Sequence, residues 1–422
     1  MSVAALSLGA LALAVAVSCI TRLNVGVLSV ALAWIIGVYF AGMSPNEVMS
    51  GFPSQLFLTL AGVTLLFTIA YANGTLSKLA HHAVRACRGN RGLIPIMYFA
   101  LAAGLASMGP GNIATAALVA PMAMATADRA GIPLFLMAIM VGNGANAGSL
   151  SPFAPTGIIV NGLMARIGMA GLEVQTYVYN GLAHVFVAFG GYFLFGGWKL
   201  FAPQPAVREK LPSGPQSRDE DPFESRHWIT LAAIALLLVS VIFFKVNVGM
   251  GAFLISVLLV LTGSGDDVSA IRQMPWGVIV MVSGVTVLIA LLEKTGGLEL
   301  FISLLARLAT RDSVTGVVAF ITGIISVYSS TSGVVLPAFL PMVPGLADQL
   351  GGANQLAIAS SMNVGAHLVD VSPLSTIGAL CIASAPGEVD TRRLFLQLLA
   401  WGLSMSVVGA VVCYLFFGRG WV

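Results

Sequence analysis

Residues 144–157 read GANAGSLSPFAPTG, and residues 365–378 read GAHLVDVSPLSTIG. Both stretches hold Gly-Ala, then Ser-Pro, then Gly at the same spacing, and both interrupt long apolar segments. Proline and clustered glycine break a helix, and inside a bilayer such a break is tolerated only where it faces protein or a water-filled cavity. Two interrupted segments at matching places in two halves of a chain are typical of a transporter and mark its binding site.

The composition is that of an integral membrane protein. Of 422 residues, 58% are hydrophobic and 9% are charged, whereas soluble domains have about 25% charged residues. The apolar runs are about 17–25 residues long, as helices that cross a hydrocarbon core must be, and they lack the alternation of outer-membrane strands. We therefore predict an all-α polytopic membrane protein. A soluble enzyme is excluded, and nothing in the net charge of +3 indicates a nucleic acid partner.

The repetition extends beyond the two breaks. The run NVG at 24–26 returns at 247–249, and GVT at 62–64 returns at 284–286. This ordered series divides the chain into two repeats joined by a proline-rich polar segment. We place repeat one at 1–201, a cytoplasmic linker at 202–227 and repeat two at 228–422.

Apolar patterning divides each repeat into helices. The run at 3–20 counts as a spanning helix rather than a signal peptide, since no basic residue precedes it. Repeat one is predicted to hold helices at 3–20, 25–42, 55–72 and 179–200, an amphipathic arm at 75–90, a hairpin at 93–127 and a broken helix at 133–165. Repeat two is predicted to hold a hairpin at about 313–345 and a broken helix at about 354–384.

The hairpins are either pairs of full spans or re-entrant segments. A hydroxyl cluster at 326–333, where the second hairpin turns, favours the re-entrant form, because polar groups at membrane depth are costly unless they serve a site. Each repeat then has five transmembrane helices and one re-entrant hairpin. An odd number of crossings predicts that the two repeats have inverted topology.

The basic residues orient the chain. With both termini outside, six of the 20 Lys and Arg residues lie on the outer side and the rest are cytoplasmic, as the positive-inside rule requires. The six are Arg166, Lys245, Lys294, Arg307, Arg311 and Arg419. We expect a multi-pass protein of the bacterial-type cytoplasmic (inner) membrane.

The breaks and the hairpin tips are expected to meet near the midplane. Half-helix N-termini there suit a carboxylate, and unwound carbonyls with hydroxyls suit a small cation or substrate hydroxyls. Ser151 and Ser372 fit the N-cap position, with Pro152 and Pro373 as the first helical residues. The same serines and threonines would also serve simply as caps or bond to their own backbone. The candidate substrate-binding residues are Gly111, Asn112, Thr115, Ser151, Pro152, Thr156, Ser330, Thr331, Ser332, Ser372, Pro373 and Thr376.

The two breaks differ in polar residues. His367 stands where repeat one has Asn146, and Asp370 stands where it has Ser149. An acid inside a membrane segment costs about 2.5–3.5 kcal/mol on insertion scales and marks a functional site. Asp370 would bind a cation, pair with His367, or be protonated. The candidate residues for cation or proton coupling are Ser107, Asn143, Asn146, Ser149, Ser329, Asn363, His367 and Asp370, with sodium as one candidate ion.

The sequence resembles the MatC dicarboxylate (malonate) carrier family. The resemblance is carried by LTLAGVTLLF at 58–67, GPGNIA at 109–114, NGANAG at 143–148 and the Ser-Pro segment that follows. More distantly the layout is similar to the divalent anion/sodium symporters of the ion transporter superfamily. The resemblance implies homodimers with a scaffold domain and an elevator-type transport domain.

The distant symporters also suggest roles for the tips. Their Ser-Asn-Thr at each tip binds substrate carboxylate and helps to coordinate sodium. Here Asn112 keeps the central position, while Gly111 and Ile113 replace its neighbours and bring no side-chain oxygen. In the second tip Thr331 or Ser332 takes the central position, depending on the alignment.

The sequence therefore predicts a carrier of small dicarboxylates, malonate or C4-dicarboxylates, working by secondary active transport, such as symport, or by facilitated transport. One alternative is the membrane subunit of a transport system that depends on a binding protein. Another is an intramembrane enzyme using His367 and Asp370, which the absence of GxSxG and HExxH disfavours. The expected partners are the substrate, the lipid bilayer and a second copy of the chain, and no cofactor is expected.

Overall fold

Helices account for the architecture in the computed structural model of the chain. The structure describes residues 2–21, 23–78, 90–201, 223–244, 246–386 and 390–419. Most of the predicted arm at 75–90 and most of the linker at 202–227 lie outside these residues. The described part of the arm, 75–78, is helical.

Besides the helical residues 75–78, the described part of the first half contains nine α-helices and a closing 3-10 turn. They are α1 Val3–Ile20, α2 Val25–Tyr39, α3 Pro45–Met49, α4 Ser54–Ala72, α5 Leu93–Met108, α6 Gly111–Ala130, α7 Leu134–Gly148, α8 Pro155–Arg166, α9 Glu173–Leu194 and the 3-10 turn Gly197–Phe201. The predicted hairpin is α5 and α6, and the predicted broken helix is α7 and α8.

The described part of the second half follows the same order. It contains α10 Ser225–Phe244, α11 Val248–Leu261, α12 Asp267–Gln273, α13 Trp276–Thr295, α14 Gly297–Ala306, α15 Val314–Tyr328, a π-helical turn Thr331–Val335, α16 Leu336–Phe339, a 3-10 turn Leu340–Met342, α17 Val343–Gln349, α18 Gln355–Leu368, a 3-10 turn Val369–Val371, α19 Thr376–Ala383 and α20 Thr391–Phe417.

Several boundaries differ from those predicted. Helix α2 ends at Tyr39 rather than at 42, because Gly42 adopts a positive φ and turns the chain. The short α3 then begins with a capping box of Ser44 and Glu47. The backbone N–H of Ser44 donates to the Glu47 carboxylate and lowers the pKa of that carboxyl.

Two further boundaries were wrong by several residues. Helix α9 begins at Glu173, not at 179. Its first turns are polar, so the apolar pattern in the sequence marks only its later turns. Helix α10 begins at Ser225, inside the segment assigned to the linker.

Five helical segments of the described chain are long and apolar enough to cross a membrane. They are Ser54–Ala72, Trp276–Thr295, Thr331–Gln349, Gln355–Ala383 and Thr391–Phe417, and eight further apolar helices are shorter. These spans support a polytopic membrane protein. Thr331–Gln349 is an arm of the second hairpin, so its re-entrant form stays a prediction.

The two halves cross each other at two matched places. Helix α2 packs on α13, and α4 packs on α11. A Cβ on Gly284 would lie 2.1 Å from the carbonyl oxygen of Gly26, and a Cβ on Gly62 would lie 2.3 Å from that of Gly249. These four are the glycines of the repeated NVG and GVT runs, so the repetition places backbone against backbone at both crossings.

The apolar interior forms two clusters. The first includes buried residues of α1–α4, α8, α10–α14 and the second arm of the second hairpin. The second includes those of α5–α7, α9, α19 and α20. Helices α15 and α18 contribute to both clusters, so the second hairpin and the second broken helix lie between them.

Candidate functional site

Each broken helix is interrupted by a loop that folds back on its own serine. Helix α7 ends at Gly148 and α8 starts at Pro155, while α18 and its 3-10 turn end at Val371 and α19 starts at Thr376. A Cβ on Gly157 would lie 1.9 Å from the Ser151 carbonyl oxygen, and one on Gly378 would lie 2.1 Å from that of Ser372. The Ser-Pro-x4-Gly spacing is therefore the signature of this loop.

The predicted N-caps are wrong. The residues before the half-helices are Ala154 and Ser375, and Ser151 and Ser372 lie three residues earlier. Each of these two serines instead accepts a hydrogen bond from the backbone N–H two residues ahead, at 3.4 Å and 3.3 Å. A Ser-Pro pair thus starts a turn here, and a second helix-starting signal follows it.

The tips of the two hairpins are built differently. In the first, Gly109 has φ 142° and its Cα faces the ring of Phe67, where a Cβ would lie 1.8 Å from a ring carbon. In the second, the Ser330 hydroxyl accepts from the Gly333 N–H at 3.1 Å and begins the π-helical turn. Glycine permits the first turn, and a hydroxyl cap fixes the second.

Two adjoining cavities lie at the tips. The first, of 330 Å³, is bounded by the first tip, α4, the start of α8 and the segment between α12 and α13. The second, of 210 Å³, is bounded by the second tip and the second break. Asn112, Ile113 and Ser332 line both cavities, so the two tips meet between them.

Four helical N-termini end at these cavities. Helix α6 starts at Gly111, α8 at Pro155, the π-helical turn at Thr331 and α19 at Thr376, and all four residues are lining residues. Two of these termini come from each half. The first N–H groups of a helix lack partners within it and carry partial positive charge, so the arrangement favours an anion.

No Lys or Arg of the described chain contributes to this charge. Among the residues that line the two cavities there is no Lys or Arg, and Asp370 is the one carboxylate. An anion bound here would be held by backbone amides and hydroxyls, as helix N-termini hold phosphates and carboxylates elsewhere.

A cluster of oxygens surrounds Asp370 in the second cavity. The Thr331 hydroxyl donates to an Asp370 carboxylate oxygen at 2.7 Å, and the Ser326 hydroxyl is hydrogen-bonded to Thr331. The Ser375 hydroxyl donates to the Asp370 carbonyl. Asp370 is 8% exposed and belongs to the wall of the cavity.

Asn146 connects the first tip with the second break. Its side-chain oxygen accepts from the Asn112 amide at 2.9 Å, and its own amide donates to the His367 carbonyl at 3.3 Å. The Asn180 amide of α9 donates to the Asn146 carbonyl at 2.9 Å. One asparagine therefore joins elements from both halves of the chain.

The structure places many of the predicted site residues at the cavities. These are Gly111, Asn112, Thr115, Thr156, Ser329, Ser330, Thr331, Ser332, His367, Asp370 and Thr376.

The other predicted residues lie behind the walls. Pro152 lines a separate cavity of 610 Å³. The residues that line neither tip cavity are Ser107, Asn143, Asn146, Ser149, Ser151, Pro152, Asn363, Ser372 and Pro373. Several of these bond to nearby backbone: the Ser107 hydroxyl donates to the Ala103 carbonyl and the Ser149 hydroxyl to the Asn146 carbonyl.

Sequence reasoning missed polar residues at the cavity wall and behind it. Ser375 occupies the N-cap position of α19 and lines the second cavity, whereas Asn180 and His184 bring polar groups from α9 into the interior behind the cavities. An available signal was the ionisable His184 within an apolar helix, which in a membrane protein marks a functional position.

Comparison with known proteins agrees with this arrangement. The family model described as dicarboxylate carrier protein MatC N-terminus matches residues 1–149. Among curated proteins, none matches the sequence.

Two solved structures share the fold. The YdaH transporter of Alcanivorax borkumensis is 16% identical with a TM-score of 0.64, covering 91% of this chain and 90% of that one. MtrF of Neisseria gonorrhoeae, from a class of antimetabolite efflux pumps, is 15% identical with a TM-score of 0.55, covering 90% and 84%. The family and both neighbours are transporters rather than enzymes. The predicted resemblance to the MatC family is confirmed over residues 1–149, which match the family model, and the chain is a multi-pass membrane protein that shares its fold with two solved transporters.

Proposed function

We propose that the chain is a self-sufficient carrier of small dicarboxylates across a bacterial cytoplasmic membrane. The observation that carries the proposal is the convergence of four helical N-termini, two from each half, on adjoining cavities. A dicarboxylate has two anionic ends, and each half supplies one pair of termini. The family match supports malonate or a C4-dicarboxylate as substrate.

Binding of a dianion requires a compensating charge. Asp370 faces the second cavity, and an ionised carboxylate there repels a dianion strongly in a medium of low dielectric constant. A proton or a cation has to accompany the substrate at this end. The carrier is therefore a symporter in which Asp370 senses the coupling charge.

Sodium at the first tip is a poor fit to the residues present. Gly111 and Ile113 bring no side-chain oxygen, and the Asn112 side chain is engaged, its amide with Asn146 and its oxygen with the Ile113 N–H at 3.0 Å. Hard cations such as sodium need several oxygen ligands.

The packing supports inverted repeats and an elevator-like movement. The reciprocal crossings of α2 on α13 and α4 on α11 are what a twofold relation between the halves produces. Two apolar clusters are what a scaffold and a transport domain require. The first cavity reaches Tyr71, Leu76 and Gln273, which lie near the predicted cytoplasmic side, and this supports a cytoplasm-facing state.

Purified protein in liposomes tests the proposal. We expect saturable uptake of labelled malonate or succinate by the chain alone, inhibited by an excess of the unlabelled dicarboxylate. Empty liposomes are the control. No uptake of any dicarboxylate by the lone chain contradicts the proposal and favours a subunit that needs a binding protein.

A matched pair of variants tests where the substrate binds. Asn112→Asp adds a carboxylate where the two cavities meet and should reduce uptake on the order of 100-fold, because like charges about 4 Å apart repel by a few kcal/mol. Asn161→Asp adds the same charge on α8, in the separate 610 Å³ cavity, and should leave uptake unchanged. Equal effects of the two variants would move the binding site away from the tips.

A further inference from the structure

Two histidines on packed helices lie in the interior beside the second cavity. His184 is on α9 and His367 is on α18; these helices pack on each other, and both side chains are fully buried. One helical turn before His184, the Asn180 amide donates to the Asn146 carbonyl. The Asn146 amide donates in turn to the His367 carbonyl, so these hydrogen bonds connect the two helices beside the histidines. His367 lines the second cavity, whereas His184 lies behind it.

The hydrogen bonds fix which nitrogen of each ring carries the proton. The Asn143 amide donates to the Ile139 carbonyl at 2.8 Å, so its side-chain oxygen faces Nδ1 of His184 at 2.9 Å. In His367, Nδ1 faces the Asn363 carbonyl at 2.8 Å. Both acceptors are oxygens, so in both rings Nδ1–H donates and Nε2 of the neutral imidazole is left with a lone pair.

Both Nε2 atoms are buried and have no hydrogen-bond partner among the described residues. The same is true of the Asn180 side-chain oxygen and of both polar atoms of the Asn363 amide. A buried polar atom without a partner costs about 1–3 kcal/mol, and a group of them indicates water or an ion. The atoms without partners are thus two basic imidazole nitrogens and polar atoms of two amide side chains. These amide atoms would form hydrogen bonds with a hydrated proton.

The repeat shows that the fold does not need these histidines. Gly181-Leu182 returns as Gly402-Leu403, at the offset that relates Ser151 to Ser372, so the counterpart of His184 is Met405. The counterpart of His367 is Asn146. Each half therefore builds the same helices with a non-titratable residue at the matching place.

We propose that His184 and His367 form a buried proton-binding pair that takes up one proton with each dicarboxylate. This inference rests on the proposed function and names its coupling ion. Like charges repel, so the pair holds one proton at a time. The proton enters through the second cavity, binds Nε2 of one ring and is released unchanged on the other side, so no bond of the substrate is altered.

Among the described titratable groups around the two histidines, Asp370 is the buried base that could compete with them for the proton. Helix α7, which packs on α9, has no titratable side chain. The titratable side chains on α9, α18 and the elements packed on them are Arg166, Glu173, Tyr177, Tyr179, Tyr192, Lys199, Tyr328, Asp348, Asp370, Arg392, Arg393, Cys413 and Tyr414. Of these, Tyr192, Asp370 and Cys413 are buried, and the hydroxyl of Tyr192 already donates to backbone carbonyls.

Sodium-free liposomes with an alkaline interior provide the test. We expect the unmodified chain to accumulate malonate up to about tenfold for a gradient of one pH unit, since each proton carries about 1.4 kcal/mol per unit. A pH dye sealed inside should report acidification with malonate entry. Accumulation driven only by a sodium gradient, or malonate entry without acidification, overturns the proposal.

The variant His184→Met, which introduces the side chain that the other half has at Met405, separates proton coupling from transport. It should lose the accumulation while malonate–malonate exchange stays within about twofold of the unmodified rate. The control is His227→Met on α10, because both ring nitrogens of His227 are hydrogen-bonded, to the Glu224 N–H and the Asn73 carbonyl. Retained accumulation in His184→Met overturns the proposal. If that variant does not fold, the dye measurement on the unmodified chain decides.

The outcomes test the proton-binding pair and the proposed function separately. Dicarboxylate transport that is indifferent to pH overturns the proton pair and leaves the proposed function standing. Absence of all dicarboxylate transport overturns both.

Discussion

The break after α7 and the break after α18 have the same backbone and different chemistry. Gly157 and Gly378 lie against the carbonyls of Ser151 and Ser372 in the same way. The first break holds Asn146 and Ser149, both engaged with neighbouring groups, whereas the second holds His367 and Asp370 at a cavity wall. The shared geometry aims a half-helix at the site, and the differing side chains give the two ends separate tasks.

The comparison of the two breaks also shows why a serine hydroxyl alone is a weak indication of a binding site. Ser151 donates to the Ser107 carbonyl at 2.7 Å and thereby ties the first break to the first hairpin. The described partner of the Ser372 hydroxyl is the backbone N–H of Leu374. The same residue at equivalent places is thus a link in one half and a local turn in the other.

The largest effect should come from filling the shared loop. Gly157→Ala and Gly378→Ala each place a methyl group within about 2 Å of a backbone oxygen, and overpacking costs about 1–3 kcal/mol or more. We expect both variants to lose folded protein in size-exclusion chromatography and to lose uptake in liposomes.

The matched control is Gly162→Ala on α8, where the nearest atom to the new Cβ would be 3.5 Å away. It should fold and transport normally. Tolerance of either loop variant would show that the two breaks do not depend on the same backbone geometry.

An intermediate effect should come from removing the charge that distinguishes the second break. Asp370→Asn keeps an oxygen for the Thr331 hydroxyl but cannot ionise, so a dianion no longer needs a coupling charge there. We expect the accumulation of malonate driven by a gradient of one pH unit to fall by up to about tenfold, to no accumulation, while exchange stays measurable. Uptake is measured in liposomes over a range of pH and sodium concentrations.

The counterpart for this experiment is Ser149→Ala in the first break, whose hydroxyl donates to the Asn146 carbonyl and lines neither tip cavity. It should keep its dependence on the gradient. If Asp370→Asn kept the pH and sodium dependence of the unmodified chain, the asymmetry of the breaks would have no role in coupling.

The smallest effect should separate the two serines. Ser151→Ala removes a buried hydrogen bond between the first break and the first hairpin and should cost about 1 kcal/mol of stability. Ser372→Ala removes a 3.3 Å bond within a turn and should cost less. Thermal unfolding in detergent measures both, and equal losses would mean that the two hydroxyls are equivalent.

Features with a local cause were predictable. Glycine and proline spacing located both breaks and the first tip, because clustered glycine and proline disfavour the continuation of a helix. The hydroxyl cluster around Ser330 and the acid Asp370 were recognised, because polar groups are costly at membrane depth. The structure places these residues around one pair of cavities.

Contacts between residues that are far apart in the sequence could not be predicted. His184 meets Asn143 across two helices, and Asn146 meets the His367 carbonyl across the two halves, and no local pattern encodes either contact. The cap was misplaced because a Ser-Pro pair starts a turn as readily as a helix, and the choice depends on where the Gly157 and Gly378 backbone returns.

The bond from the Asn146 amide to the His367 carbonyl joins two residues that occupy the same place in their respective halves. Equivalent residues of a twofold arrangement touch only beside its axis, where every contact is made with a copy of itself. The twofold axis that we propose between the halves would therefore pass beside this bond. Two identical residues that meet on a twofold axis must each donate and accept in the same contact. Because Asn146 faces a histidine, His367, rather than a second asparagine, this constraint does not apply here. A substrate with two like ends is the kind of ligand that such an axis would receive without preferring either orientation.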